Sequence, residues 1–335
     1  MIKISGYTTI RNAAKMNYPF VESIESLLDF CDEVVVADSS DNSDNTLETL
    51  NLLAKKHDKL KVFHVNVPWD APNHGVYDGQ MKAVARSKCT GDYLWQQDLD
   101  EVVDAGSRSK IEDLIEKAAP FMEQAPIICL PVIEYWGSRG KSRIDVNPWK
   151  WRLSKNLPYI THGIPVQLRK WENGLLYAKP GTDGCDYIHK DTGEVIPASN
   201  FMNAEVEQLR YDALTNPESA KKYGIFLSMV CETLPYVHHY SWYSIEGKIL
   251  KFKYFWNDSW LSLYNEKKSD GWNPFFADKS LEQVSDKEIK ALAKKLEAET
   301  GGHIFHKPWN GERINHFVFE KSHPKIIENW CKNNK

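Results

Sequence analysis

EVVVADSSDNSDNT, residues 33–46, sets a run of apolar, β-branched residues directly against a run of acids and small polar residues. A short continuous apolar strand of this kind is buried on both faces, as in parallel sheets covered by helices. The Asp, Ser and Asn that follow favour turns, because their side chains bond back to nearby backbone. Working outward, the alternation repeats. Ile2–Tyr7 reads as a strand, and Phe20, Val21, Ile24, Leu27 and Leu28 recur at helical spacing behind Pro19, a residue suited to a helix first turn. A helix follows over 46–56, a strand at Leu60–Val65, the loop PWDAPNHG at 68–75, a helix over 76–88 and a strand at Asp92–Gln97. Ser109 and Glu112 have capping-box spacing ahead of Ile111, Leu114 and Ile115, and Pro126–Ile133 is a further strand. Strands alternating with helices predict an α/β fold: Rossmann-like, with a mostly parallel central sheet and helices on both faces.

The rest of the chain is less regular. Residues 136–200 are rich in Gly, Pro and aromatics and predict short strands and long loops. Tyr243–Tyr264 reads as a helix with Ile249, Phe252, Phe255 and Trp256 on one face. Ser285 and Glu288 form a second capping box, with Gly301 as the matching C-cap. The predicted organisation is a catalytic domain over 1–235, divided into halves at 104/105, and a mainly helical C-terminal extension over 236–335.

Composition excludes several classes. The 335 residues carry a formal net charge of -4, so there is no basic field for nucleic acid. No stretch approaches a membrane span, and the N-terminus has no signal-peptide core. Cys31, Cys89, Cys129, Cys185, Cys231 and Cys331 lie far apart with no C-x-x-C pair, against a zinc site or a disulfide framework. Cys31 and Cys129 read as small buried hydrophobes. A reducing, cytoplasmic setting is the expectation. The 12 Trp and 15 Tyr serve either an aromatic core or platforms for the apolar faces of sugar rings.

Ligands of such sheets bind beyond the carboxyl ends of the strands. Thr8, Arg11 and Asn12 follow the first strand, Asp38, Ser39, Asp41, Ser43 and Asp44 the second, and Asp98, Leu99, Asp100 and Glu101 the fourth. Alternation in an extended segment would put Asp98 and Asp100 on one side, where two adjacent carboxylates call for a cation. Hard ions such as Mg²⁺ or Mn²⁺ prefer oxygen ligands. A D-x-D triplet alone is weak, since acidic turns are common.

The order ISGYTTIRN, EVVVADSS, NHGVYDGQMKAVARS, GDYLWQQDLDE across residues 1–104 resembles family 2 glycosyltransferases. The resemblance implies a glycosyltransferase A fold and a nucleotide-diphosphate sugar donor (UDP-, GDP- or dTDP-linked). It also implies Mn²⁺ or Mg²⁺, a carbohydrate acceptor and inversion at the anomeric carbon. Carried over, Thr8 and Arg11 line the nucleotide pocket and Asp38 bonds the base. Asn73, Gly75 and Arg86 border the donor sugar, Asp98 approaches ribose or sugar, and Asp100 ligates the metal. Ser39 stands where a second Asp is frequent, which alters the base contacts.

Two later segments resemble parts of related sugar transferases. RLSKNLPYITHGIP places His162 in the site, with Gly163 where Glu is common, and VHHYSWYSIEGKILK offers His239 to the metal or diphosphate. Lys248 or Lys251 would then neutralise phosphate, whereas His303 and His306 read as structural. Three carboxylates compete as general base: Asp183 and Asp186 in PGTDGCD, and Glu134 after the strand IICLPVI. Two other functions stay open. A sugar-nucleotide nucleotidyltransferase would want a Gly-rich basic loop after the first strand, which TTIRN lacks. A non-catalytic glycan-binding protein would not need the Asp38, Asp98 and Asp100 set.

Overall fold

The computed structural model describes residues 2–67, 74–104, 106–173, 175–178, 184, 186–199, 203–255, 283–299 and 315–334. In chain order the first elements are β1 (Ile4–Ile10), α1 (Phe20–Phe30), β2 (Glu33–Asp38), α2 (Thr46–Lys56), β3 (Leu60–His64), α3 (His74–Ser87), β4 (Tyr93–Gln96), β5 (Glu101–Val103) and α4 (Ser107–Ala118). Then come β6 (Ile127–Trp136), β7 (Ser142–Arg143), β8 (Trp149–Lys155), β9 (Ile160–Gly163), β10 (Arg169–Glu172), β11 (Leu175–Ala178), β12 (Asp186–His189) and β13 (Ala198–Ser199). The chain continues through α5 (Ala204–Thr215), α6 (Pro217–Thr233), β14 (Val237–Trp242), α7 (Ile245–Phe255), α8 (Asp286–Glu299), β15 (His316–Phe317) and α9 (Glu328–Asn333).

Two compact units result: residues 1–130 with 151–200, and residues 131–150 with 201–335. In the first, β4, β1, β2 and β3 lie side by side and parallel, and β8 adds an antiparallel strand against β4. Every residue of β2 is buried, as its β-branched run requires. Strand alternation assigns the helices to opposite faces. Tyr7, Val35, Ala37 and Leu94 pack with Met81, Ala85 and Cys89, at and just beyond α3. Gly6, one residue along β1, meets α1 so closely that an added Cβ would lie 3.0 Å from Cys31 Sγ and 3.1 Å from Leu27. The α/β fold with a parallel core is therefore the one the sequence predicts.

Three local expectations change. β1 runs to Ile10, so Thr8 is a buried strand residue, and no partner for its hydroxyl is found. The box at Ser109 and Glu112 is not made. Its helix starts at Ser107 behind Gly106, whose φ of 87° suits glycine, and Glu112 instead accepts from Arg108 Nε at 2.8 Å. Residues 204–233 hold two helices where the sequence reading has none.

In the second unit β14 runs parallel to the later half of β6, with His239 level with Glu134. Trp136 and Trp242 stack at 5.2 Å, and the Arg143 guanidinium lies over both rings. Asn203 and Asn216 cap α5 and α6 through their side chains, the second just ahead of Pro217. The predicted box at Ser285 forms: Ser285 N and Oγ reach Glu288 Oε2 at 2.8 and 2.7 Å. This unit, residues 131–150 with 201–335, contains strands as well as helices. Trp256, Gly301, His303 and His306 lie outside the described residues. No described helix is long and apolar enough to cross a membrane.

Candidate functional site

β1 leads through α1 to β2 on one side, whereas β3 leads through α3 to β4 on the other. The strand order therefore reverses between β1 and β4, and ligands of open α/β sheets bind above such a reversal. The DLDE segment sits there, immediately after β4.

That segment is a turn. Glu101 N donates to Asp98 O at 3.1 Å, closing four residues, so the alternation that would align Asp98 with Asp100 does not apply. Asp98 N in turn donates to Glu101 Oε2 at 3.0 Å. The Gln97 amide ties the turn down to α1, reaching Ser23 O, Ser23 Oγ and Ser26 Oγ at 3.1, 3.0 and 3.2 Å. Asp98 keeps 39% of its side chain exposed, while Asp100 is buried.

Two buried cations stand behind Asp98. Lys82 of α3 places Nζ 3.2 Å from Oδ1 and 3.5 Å from Asp78. Arg152 of β8 pairs with the buried Glu101, donates to Gln96 Oε1 at 2.8 Å and lies 3.6 Å from Asp98 Oδ2. Burial alone would lower the Arg152 pKa, but the Glu101 and Asp98 charges outweigh it and raise it. Gln96 Nε2 donates to Asp98 Oδ1 at 2.9 Å. The carboxylate is thus held from behind by Lys82, Arg152 and Gln96, with 39% of its side chain exposed.

A second feature lies beyond β1, β2 and β3. A cavity of about 180 Å³ is lined by Arg11, Ser39, Asp41, His64, Asn66 and Val67, among others. Its walls are stitched across the two loops: Asn12 N donates to Ser40 Oγ at 3.0 Å and Asp41 N to Asn12 Oδ1 at 3.2 Å. Asn12 and Asn42 take left-handed backbone (φ 44° and 61°), which asparagine tolerates better than most residues. The Asp41 carboxyl falls to about 2, chiefly through its bond to Ser43, with Asn12 and Arg11 adding to it. Asp38, expected to bond the base, is fully buried; it accepts from Ser40 N at 3.1 Å and meets His64 Nδ1 at 2.8 Å.

The other expected residues fall elsewhere. Arg86 has its guanidinium on Ile160 O at 3.0 Å, Ser154 Oγ at 2.8 Å and Lys155 O at 2.8 Å, binding α3 to β8 and β9. His162 is buried, bonded to the Tyr7 hydroxyl and set against the Tyr187 ring, and burial raises the pKa of both tyrosines. Asp186 opens β12, half-buried, opposite Gly163. Glu134 is paired with Arg143 at 2.8 Å and lies 3.6 Å from His239 Nδ1. Burial would raise Glu134, but Arg143 and His239 hold it well below the usual carboxylate range, which ill suits a base. Lys248 donates to Ser241 Oγ beside the Trp242 ring. Asn73, Asp183 and the side-chain position at 75 lie outside the described residues.

Among the described residues no three His, Cys, Asp or Glu side chains gather as a metal site. Sequence reading missed Lys82, Arg152 and His64, and took Glu101 only as part of the acidic strand end. His64 had a usable signal, since it ends the third strand of a sheet whose other strand ends were examined.

No family model matches the chain, and no curated protein matches it. Among solved structures it is similar to TarS of S. aureus, at 16% identity over 88% of this chain and 51% of that one, with a TM-score of 0.38. It thus spans about half of that protein's length. TarS 1–349 in complex with UDP matches at 17% identity over 87% and 83%, TM-score 0.37. Mannosyltransferase PcManGT from Pyrobaculum calidifontis, in complex with GDP-Man and Mn²⁺, matches at 14% over 46% and 44%, TM-score 0.32. Likeness this remote carries no argument about function.

Proposed function

We propose that this chain is a glycosyltransferase that moves a sugar from a nucleotide-diphosphate sugar to a hydroxyl of a carbohydrate acceptor. One observation carries the reading: an open, cation-backed carboxylate stands at the strand-order reversal, in the same unit as a small polar cavity beyond the neighbouring strands. Together with the resemblance of residues 1–104 to family 2 glycosyltransferases, this supports a donor lying along the strand ends. Asp98 would accept hydrogen bonds from donor hydroxyls, which a carboxylate fixed by Lys82, Gln96 and Arg152 can do without reorganising.

In the inverting course the acceptor oxygen attacks the anomeric carbon, and the carbon–oxygen bond to the diphosphate breaks. The electron pair leaves with the nucleoside diphosphate, and the hydroxyl proton passes to a carboxylate. Asp186 is the described candidate for that base and Asp183 its neighbour in sequence. Mn²⁺ or Mg²⁺ would be held through Asp100 and would supply positive charge to stabilise the departing diphosphate.

The test is release of nucleoside diphosphate from UDP-, GDP- and dTDP-sugars, with and without a panel of oligosaccharides, in MnCl₂ and in EDTA. Acceptor-stimulated release is the expected result. Saturable oligosaccharide binding with no nucleotide release or binding would instead identify a glycan-binding protein.

A further inference from the structure

Asp38, at the end of β2, is sealed off from the cavity beyond β1, β2 and β3. Asp38 exposes nothing: Oδ1 accepts the Ser40 N–H at 3.1 Å, and Oδ2 lies 2.8 Å from His64 Nδ1. Any molecule in the cavity meets His64 instead, which keeps 44% of its side chain exposed and lines the wall with Arg11, Ser39, Asp41 and Asn66. The Asp38 carboxylate on Nδ1 orients the ring and directs Nε2 to within 3.2 Å of Asn66 Oδ1, so imidazole and amide form one polar edge of the cavity wall. Sites for whole drug-sized ligands occupy about 300–1,000 Å³. At about 180 Å³ this cavity suits a single heterocycle.

We propose that His64, with Asn66, reads the base of the nucleotide donor, and that Asp38 acts only through His64, as its positioning residue. The inference rests on the glycosyltransferase reading above and replaces Asp38 as the base-contacting group.

Calorimetric titration of the full chain with UDP, GDP and dTDP tests it, with inorganic pyrophosphate as the probe that lacks a base. The variants are His64→Ala, Asp38→Asn, Asp38→Ala and the Asp38→Ala/His64→Ala double. His64→Ala should lose at least about tenfold in affinity for the preferred nucleotide, as expected for a hydrogen bond of ~1.4 kcal/mol or more. It should also flatten the preference among the three and leave pyrophosphate binding unchanged. Asp38→Asn keeps an acceptor for Nδ1–H and should retain the preference, Asp38→Ala should lose it, and the double variant should bind no more weakly than His64→Ala.

A His64→Ala protein with its base preference intact overturns the proposal, as does a double variant weaker than His64→Ala, since Asp38 would then touch the base itself. If Asp38→Ala fails to fold, His64→Ala alone decides. A wild-type chain that binds none of the three nucleotides defeats the transferase reading and this inference together.

Discussion

Two buried arginines, one in each unit, solve the same problem differently. Arg143 is closed in: Glu134 Oε1 sits at 2.8 Å, Asp145 grips it bidentately at 2.9 and 2.7 Å, and both acids are almost wholly covered. Arg152 has one covered partner, Glu101, and one open partner, Asp98, at the longer distance of 3.6 Å. Closed pairs of this kind offset their own desolvation and leave nothing for a ligand. The open cluster leaves one carboxylate with a solvent-facing side while its charge is balanced from behind. A site is distinguished here by incomplete enclosure, not by the kinds of residue gathered.

The difference predicts opposite outcomes for removing one member. Arg143→Met removes the buried cation that Glu134 and Asp145 share, and should cost about 3–5 kcal/mol of stability. Urea unfolding followed by fluorescence, with 12 Trp as reporters, measures this. A midpoint within error of wild type would mean that the cluster is not closed. Asp98→Asn should cost much less stability, because the side chain is part-exposed and Lys82 keeps Asp78 while Arg152 keeps Glu101, yet lower sugar transfer about 100-fold, ~2.7 kcal/mol in the transition state. A variant with full turnover would reduce Asp98 to a surface acid.

The outline of the first unit was legible because buried parallel strands and their helices leave periodic traces, and Glu33–Asp38 and Thr46–Lys56 fall where periodicity puts them. The site was only half legible. Asp98 announces itself by following a strand, but Lys82 and Arg152 reach it from elements 16 residues before and 54 after, and spacing cannot say which long side chain folds under which acid. Alternation failed at Asp100 for a local reason: the Glu101 N–H closes a turn where an extended segment was assumed. The helices over 204–233 were missed although Asn216-Pro217 is a helix-start signal, because the apolar residues of 204–215 are spread around the helix and mark no single face.

A further buried carboxylate sharpens the comparison without an arginine. Glu33 accepts from Ser5 Oγ at 2.6 Å, from Thr90 Oγ1 at 2.7 Å and from the Thr90 N–H, and pairs with Lys61 at 2.6 Å. Burial would raise its pKa, but Lys61, Ser5 and Thr90 outweigh burial and bring it down to about 2 from 4.5. Because the folded value lies below the unfolded one, its contribution is fully present above about pH 4.5 and is lost as pH falls toward 2. At about 1.4 kcal/mol per unit this amounts to roughly 2–3 kcal/mol at neutral pH. Glu33→Gln should therefore be less stable than wild type by that amount at pH 7, and the gap should close between pH 4.5 and 2. Asp32 and Asp41 also titrate low, but they are common to both proteins and cancel in the difference. Lys61 keeps 45% of its side chain exposed, so losing its partner adds no buried charge. A gap that stays constant through the acid range would mean that Glu33 acts by shape and neutral hydrogen bonding, and that enclosure without a charged partner of the arginine kind does not hold a carboxylate ionised.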